Sequence, residues 1–204
     1  MSLNVFGVGG HSKVVINAAN LAGIAIANLF DDNPMTHNTE LCGIKVVGSI
    51  VDSIGGNAII AIGDNKIRRK ISSIFTQQNW QTVIHPSAII STDVLIGEGS
   101  VIMAGAIIQS DSRIGKHAII NTGASIDHDC IIDDYVHISP NVTLSGDIHV
   151  GEGTHIGVGA CIIPGVKIGK WATIGAGSVI IRDVPDYAVI VGNPGKVMKY
   201  NYEK

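Results

Sequence analysis

Every sixth residue from Ile84 to Ile180 is a large aliphatic, and no position breaks the series. It comprises seventeen residues, fifteen of them Ile, with Leu144 and Val150 the exceptions. A period of six matches neither the period of about 3.6 of an isolated helix nor the period of about 2 of a simple strand. It fits a solenoid in which each hexapeptide supplies one short strand and one turn. Four residues after each aliphatic stands a small or β-branched residue, as at Ala88, Val94, Ser100, Ala106, Ser112, Ala118, Ala124, Cys130, Val136 and Val142. Strand side chains alternate, so this residue and the next aliphatic face inward, while the position between them and the one following face outward. Three residues after the aliphatic the chain places glycines such as Gly99, Gly105 and Gly123, or Asp93, Asp111, Asp129, Asn141 and Asp147. These types tolerate φ > 0, which puts a tight corner there. Three strands and three corners close a coil of 18 residues, and the 97 residues of the series predict roughly five coils.

The pattern changes before Ile84. Leu3–Val8 reads as a short strand, Gly7-Val8-Gly9-Gly10-His11-Ser12-Lys13 leads into a helix, and a second strand over Ile24–Phe30 ends at Asp31-Asp32. A short strand over Ile44–Val47, an apolar run Ala58–Ile62 ending in Gly63-Asp64-Asn65, and an amphipathic helix over Lys66–Gln78 complete the segment. Strands alternating with helices predict a small parallel sheet covered by helices. The expected organisation is a small Rossmann-like α/β domain over 1–80, the mainly β solenoid over 81–184 and a C-terminal cap over 185–204. The glycine loop lacks the last glycine of the dinucleotide fingerprint, where Ser12 stands. Two readings stay open for it: backbone amides at a helix start that hold an anion, with strand-end acids for ribose or base donors, or ordinary turns with no ligand.

Composition narrows the partners. The chain has 204 residues, a net charge of −3 and 15% charged residues. It has no basic stripe, which argues against nucleic acid. No apolar run approaches the ~18–20 residues of a membrane helix, and no signal peptide is expected. Cys42, Cys130 and Cys161 have no metal-site spacing. Two of them count as inward repeat positions, so they read as core fillers in a reducing cytoplasm, with no metal expected.

The hexad series resembles the hexapeptide-repeat acyltransferase family, whose fold is a left-handed parallel β-helix, usually trimeric. The hand is what the resemblance implies, because the general crossover rule favours the right hand. The runs GVGGHSKVV, FDD and AIGDNKIRRKI are similar to the N-terminal domain of sugar-nucleotide acetyltransferases, including those acting on UDP-4-amino sugars and the sialic acid O-acetyltransferase-like proteins. The resemblance implies that Gly9, Gly10, His11, Asp31, Asp32 and Gly63 hold a nucleotide sugar. It implies acetyl-CoA as co-substrate, with His137, Val158, Ala176 and Asn121 at its site. The block from Asn121 to Cys130 resembles the family's catalytic segment, with His128 as general base.

Imidazole suits that task, since its free pKa of about 6.5 matches proton removal at neutral pH. Asp129 would orient the ring, or it would simply fill a left-handed corner, as Asp111 and Asp147 do one coil away. Gly146, one coil above His128, would offer its amide to an oxyanion, or it is a corner chosen for shape. His137 and His155 are 18 residues apart and stack in one outward column, whereas His149 reads as a solvated surface residue. The Gly192–Lys196 segment resembles the family's closing run and would cap the prism.

The expected function is N-acetylation of a nucleotide-linked amino sugar of the UDP-4-amino-4,6-dideoxy type, by a cytoplasmic homotrimer. Sugar O-acetylation would use the same fold and base. A γ-type carbonic anhydrase shares the fold, but successive histidine intervals of 11, 9, 12 and 6 residues do not suit its three zinc ligands. A non-catalytic scaffold would leave the glycine loop and His128 unexplained. His128 and His137 are nine residues apart, half a coil, so a site using both would draw them from neighbouring chains.

Overall fold

The computed structural model describes residues 2–52 and 55–202. The N-terminal part contains β1 (Ser2–Phe6), α1 (Gly10–Leu21), β2 (Ala25–Phe30), β3 (Glu40–Leu41), β4 (Ile44–Gly48), β5 (Asn57–Ile60), α2 (Asn65–Ile74) and β6 (Asn79–Trp80). The strands form one sheet in the order β3-β4-β2-β1-β5-β6, parallel except at β3. Helix α2 is shorter than the pattern predicts. The Asp64 carboxylate caps its start by accepting the Ile67 amide at 2.9 Å, and the chain leaves the helix at Phe75. Its buried face is also unexpected: Arg68 and Ser72 lie inside with Ile71, while Ile67 and Ile74 face solvent.

From Val83 the chain winds into a left-handed prism of seventeen two-residue strands, from Val83–Ile84 to Val179–Ile180. They stack into three parallel sheets. The first face carries Val83–Ile84, Val101–Ile102, Ile119–Ile120, His137–Ile138, His155–Ile156 and Thr173–Ile174. The second runs from Ile89–Ile90 to Val179–Ile180, and the third from Leu95–Ile96 to Lys167–Ile168. Each residue pairs with the one 18 positions on, as Ile120 does with Ile138. The inward aliphatics and small residues form one core from Ile102 to Ile190, as the alternation predicts.

Inward hydroxyls are satisfied across the coils. Ser112 Oγ donates to the Asp127 carbonyl at 2.9 Å and accepts the Cys130 amide at 3.1 Å. Ser100 and Thr154 make the equivalent pairs. Of the two cysteines expected inward, Cys130 is buried but Cys161 is exposed, because it occupies the outward strand position before Ile162.

Asp111, Asp129, Asn141 and Asp147 adopt φ between 56° and 61°, as the corner reading requires. Asp93 does not; its carboxylate accepts the Asp111 amide at 2.7 Å instead. Three further left-handed corners hold bulky residues, His117 (φ 51°), Tyr135 (59°) and Trp171 (54°), all on the edge between the third and first faces. Such a backbone costs a side-chain-bearing residue roughly 1–2 kcal/mol. The N-terminal part offsets that cost by docking on this edge. Trp80 meets the His117 ring edge-on at 5.0 Å, His117 stacks on Tyr135 at 5.4 Å, and the Arg69 guanidinium lies 5.3 Å from the Trp171 ring. The Tyr135 hydroxyl bonds Ser72 Oγ at 2.9 Å.

The first face is covered as well. Its outward residues Val83 and Val101 are buried in a cluster with Val15, Ile16, Ala18 and Ala19 of α1, and the outward Ile119 of the next coil is buried too. The chain therefore shields the lower part of this face itself, while His155 higher up is exposed. Beyond Thr173–Ile174 the first sheet continues through Ala188–Val191, on which Lys196–Tyr200 folds back antiparallel.

Truncating an outward residue that is buried on this face should be as costly as truncating a core residue. Ile119→Ala is expected to lower unfolding stability by about 2–5 kcal/mol in denaturant titrations. A loss below about 1 kcal/mol would show that this part of the face is not sealed.

Candidate active site

His128 sits at the corner between the second and third faces, just before the left-handed Asp129. Its Nδ1 lies 2.7 Å from Asp129 Oδ2, which leaves Nε2 free of the pair. The backbone here is fixed from both sides: Asp127 Oδ1 accepts the His128 amide at 2.9 Å, and the His128 carbonyl accepts the Asp147 amide at 3.0 Å. The ring lies over Gly146, where a methyl group would come within 2.5 Å of Cε1 and 2.7 Å of Nε2. Glycine is thus required for close approach rather than for φ. Side chains of His128 and Asp129 are 60% and 58% exposed, so this corner opens to the outside of the chain. The hydrogen bond to Asp129 raises the His128 pKa above its ordinary value, and Asp127 and Asp147 act in the same direction.

A second group of predicted residues meets on the first face. Gly9 caps α1 and Gly10 begins it, which places His11 in its first turn. The His11 ring lies 6.2 Å from that of His137, and His137 stacks on His155 at 4.8 Å. His137 points out of the prism as expected but meets protein rather than solvent. Its Nδ1 lies 3.3 Å from the Gly63 carbonyl and its Nε2 lies 3.2 Å from Asn121 Nδ2. A carbonyl only accepts, so Nδ1 carries the hydrogen and Asn121 donates to the Nε2 lone pair. Burial, with charge repulsion among the histidines and Arg68, lowers His137 to about 3, and burial with Arg68 lowers His11 to about 4. His155 is lowered in the same way, and its Nε2 lies 2.8 Å from Ser139 Oγ. The column is therefore neutral at physiological pH.

Val158 and Ala176 occupy equivalent, exposed places in successive coils at the adjoining edge of that face, tied by the Gly177 amide to the Val158 carbonyl at 2.8 Å. The first face lies opposite the corner that carries His128, so one chain does not bring the two groups together.

The strand-end acids serve the loops around them. Asp31 accepts the Val8 amide on one oxygen and the Asn33 amide on the other, both at 2.8 Å, and Asp32 accepts the Ile50 amide at 2.9 Å. The glycine loop is thereby strapped to the end of β2. A cleft of about 690 Å³ opens beside His155, between the 63–66 turn, Trp171, Thr173 and the Tyr200–Tyr202 segment. Among the described residues, no three His, Cys, Asp or Glu side chains converge to hold a metal ion.

Sequence reasoning missed Arg68, Ser139 and the docking corners. The corners carried a signal, since His117, Tyr135 and Trp171 break a series otherwise dominated by Gly, Asp and Asn. His149, read as solvated, is exposed and pairs with Asp133 at 3.0 Å.

A left-handed solenoid with a histidine–carboxylate pair at a corner and a small α/β domain on one face defines a hexapeptide-repeat transferase architecture. Residues 2–75 match the PglD N-terminal domain, and residues 111–146 and 147–182 match the bacterial transferase hexapeptide repeats. The fold superposes with a TM-score of 0.92 on perosamine N-acetyltransferase from Caulobacter crescentus in complex with CoA and GDP-perosamine, at 38% identity over 98% of this chain and 97% of that one. The acetyltransferase domain of PglB from Neisseria gonorrhoeae, in complex with acetyl coenzyme A, gives 0.90 at 37% identity over 97% and 98%. UDP-N-acetylbacillosamine N-acetyltransferase from Bacillus subtilis is 42% identical over 116 residues, 49% of this chain and 50% of that protein. The chain spans half the length of that curated relative, and 19% of an uncharacterised Acanthamoeba polyphaga mimivirus protein that it also matches. The chain belongs to the hexapeptide-repeat sugar N-acetyltransferase family.

NMR titration should separate the two histidine environments. His128 is expected to titrate above its ordinary value, and Asp129→Asn to bring it down, because the carboxylate stabilises the imidazolium. His137 should stay uncharged to about pH 3. An unchanged His128 in the Asn variant would mean that the pair does not persist in solution.

Proposed function

We propose that this protein is an acetyl-CoA-dependent N-acetyltransferase acting on a nucleotide-linked amino sugar, of the 4-amino-4,6-dideoxy type, with His128 as general base. The observation that carries the reading is the likeness over 98% of the chain to an enzyme whose structure holds CoA and GDP-perosamine. The substrate amine attacks the thioester carbonyl while the His128 Nε2 lone pair takes its proton. Charge then collects on the carbonyl oxygen, for which the Gly146 amide is the hydrogen-bond donor in this reading. Collapse breaks the C–S bond, the acetamide is released, and the CoA thiolate takes up a proton. Asp129 keeps Nδ1 protonated, so that Nε2 is the basic nitrogen, and stabilises the imidazolium.

Residues 1–80 are the nucleotide-sugar module in this reading. Gly9, Gly10 and His11 face the diphosphate at the start of α1, where amides and the helix dipole favour an anion. Asp31 and Asp32 act by shaping the loops that hold the nucleotide, and Gly63 closes the pocket. Asn121, His137, Val158 and Ala176 line the acetyl-CoA path along the first face and its edge. Because that path lies across the prism from His128, the working unit is a homotrimer in which CoA lies between two prisms. The exposed second and third faces are the surfaces such an assembly would cover.

The test is turnover of acetyl-CoA with a panel of UDP-, GDP- and dTDP-linked amino sugars, scored by free thiol release. His128→Ala should lose about 10²–10⁴-fold in kcat with CoA binding retained, and Asp129→Asn should lose less. Activity kept in His128→Ala would assign the base elsewhere. The acid limb of kcat/KM against pH should follow His128 and move to lower pH in Asp129→Asn, since His128 must be neutral to act.

Sedimentation should give the mass of three chains, and a mass near that of one would exclude the shared site. Mixed trimers of His128→Ala and His137→Ala chains should regain activity, because some interfaces then hold both histidines. Mixtures no more active than either variant would place the whole site within one chain.

A further inference from the structure

Arg68 is 1% exposed, and none of its four hydrogen-bond acceptors is a carboxylate. A buried guanidinium that no carboxylate hydrogen-bonds is unusual; Asp64 acts on this one through its charge, but the N–H groups are met by backbone dipoles. Here every acceptor is a backbone carbonyl. Nη1 donates to Ile62 at 3.1 Å and Gly63 at 3.0 Å, Nε donates to His117 at 3.0 Å, and Nη2 donates to Tyr135 at 2.8 Å. One side chain thus joins the turn after β5 to two solenoid corners a full coil apart. Only the planar fork of Arg can reach these points together, since an ammonium is a point donor on a flexible stem.

The Gly63 carbonyl receives a second hydrogen bond from His137 Nδ1 at 3.3 Å. Asn121 closes the relay. Its Oδ1 accepts the Thr122 amide at 2.8 Å, which leaves Nδ2 to donate to His137 Nε2. The Gly63 carbonyl and the Asn121 amide together set which nitrogen of His137 carries hydrogen, and Arg68 holds that carbonyl in place. We propose that Arg68 is a positioning residue that couples the Gly63 turn to His137 and fixes His137 as its Nδ1–H tautomer. Neither the sequence pattern nor the resemblance assigns it a role. The proposal rests on the reading that His137 lines the acetyl-CoA path. Burial keeps the ring uncharged, and Arg68 adds to the effect, lowering the pKa of His11, His137 and His155 alike.

Arg68→Lys separates geometry from charge, because it keeps the cation and loses the fork. In the intact protein, long-range ¹H–¹⁵N spectra of the histidine rings should show His137 with hydrogen on Nδ1 alone. The Lys variant is expected to show a mixture of tautomers. Its KM for acetyl-CoA should rise about tenfold, the scale of one misplaced hydrogen bond, with kcat within about threefold. An Nδ1–H ring and an unchanged KM in folded Arg68→Lys would overturn the proposal.

Should Arg68→Lys fail to fold, Asn121→Asp probes the same relay with Arg68 in place. A carboxylate opposite Nε2 only accepts, so it draws hydrogen onto that nitrogen. The same KM rise supports the coupling, whereas an altered tautomer with unchanged KM overturns it. Wild-type turnover of the sugar panel is measured alongside. A wild type that acetylates no amino sugar, in which the tautomer still depends on Arg68, would remove the functional reading and leave the positioning role in place.

Discussion

The backbone of a two-residue strand has no partner within its own coil. The strand amides and carbonyls of the prism pair with the coil above or below, so consecutive coils must keep one length and one register. The constancy of 18 residues follows, and with it the need for a corner in the same place three times per turn. Left-handed corners close the turn in few residues, which selects Gly, Asp and Asn and lets a carboxylate such as Asp129 stand beside His128. The hydroxyl pair of Ser112 with Asp127 and Cys130 shows the same logic inside the wall, just below that histidine. What holds the prism together thus also sets the His128 corner to within a hydrogen bond.

Fixed register makes each face a column of outward side chains, and the columns differ. On the first face the column reads Val83, Val101, Ile119, His137, His155, Thr173. In its apolar lower half Val83 and Val101 pack against α1, which brings the glycine loop at the start of that helix up to the histidine half. The aromatic corners His117, Tyr135 and Trp171 fix the docking angle from the side, and Arg68 ties the turn after β5 to the same edge. A bulky residue at φ > 0 is unfavourable in isolation. It becomes acceptable where the neighbouring domain supplies a ring, a hydroxyl or a guanidinium to meet it.

Periodicity made the solenoid legible because every sixth side chain obeys one constraint, burial on the axis. The corner at Asp129 was legible for the same reason, and the pairing of His128 with it needed only adjacency. Long-range docking was not. Arg68 lies on what the pattern marks as the polar side of α2, and Val101 and Ile119 occupy positions that alternation assigns to solvent. Both depend on which surface the small α/β part meets, a choice that no local period encodes. Asp31 and Asp32 were read as ligand contacts from their place at a strand end. In the fold their carboxylates hold the amides of Val8, Asn33 and Ile50, so they are taken up in shaping the loops around them.

The two histidine environments pull one residue type in opposite directions. His128 stands in solvent beside a carboxylate and is driven towards the imidazolium. His137 is covered by the Gly63 turn, near Arg68, and is held neutral with its hydrogen on a chosen nitrogen. When environments separate the titration of like groups this far, the groups suit different tasks. A base must gain and lose a proton within the cycle, which needs an exposed ring with a counter-ion to stabilise the charged form. A residue that shapes a binding surface does better without charge, because a cation there would have to be desolvated each time a ligand binds. The prism keeps the two apart by half a coil, so that the carboxylate serving one does not reach the other. In the proposed trimer the two kinds of histidine would meet across an interface between prisms.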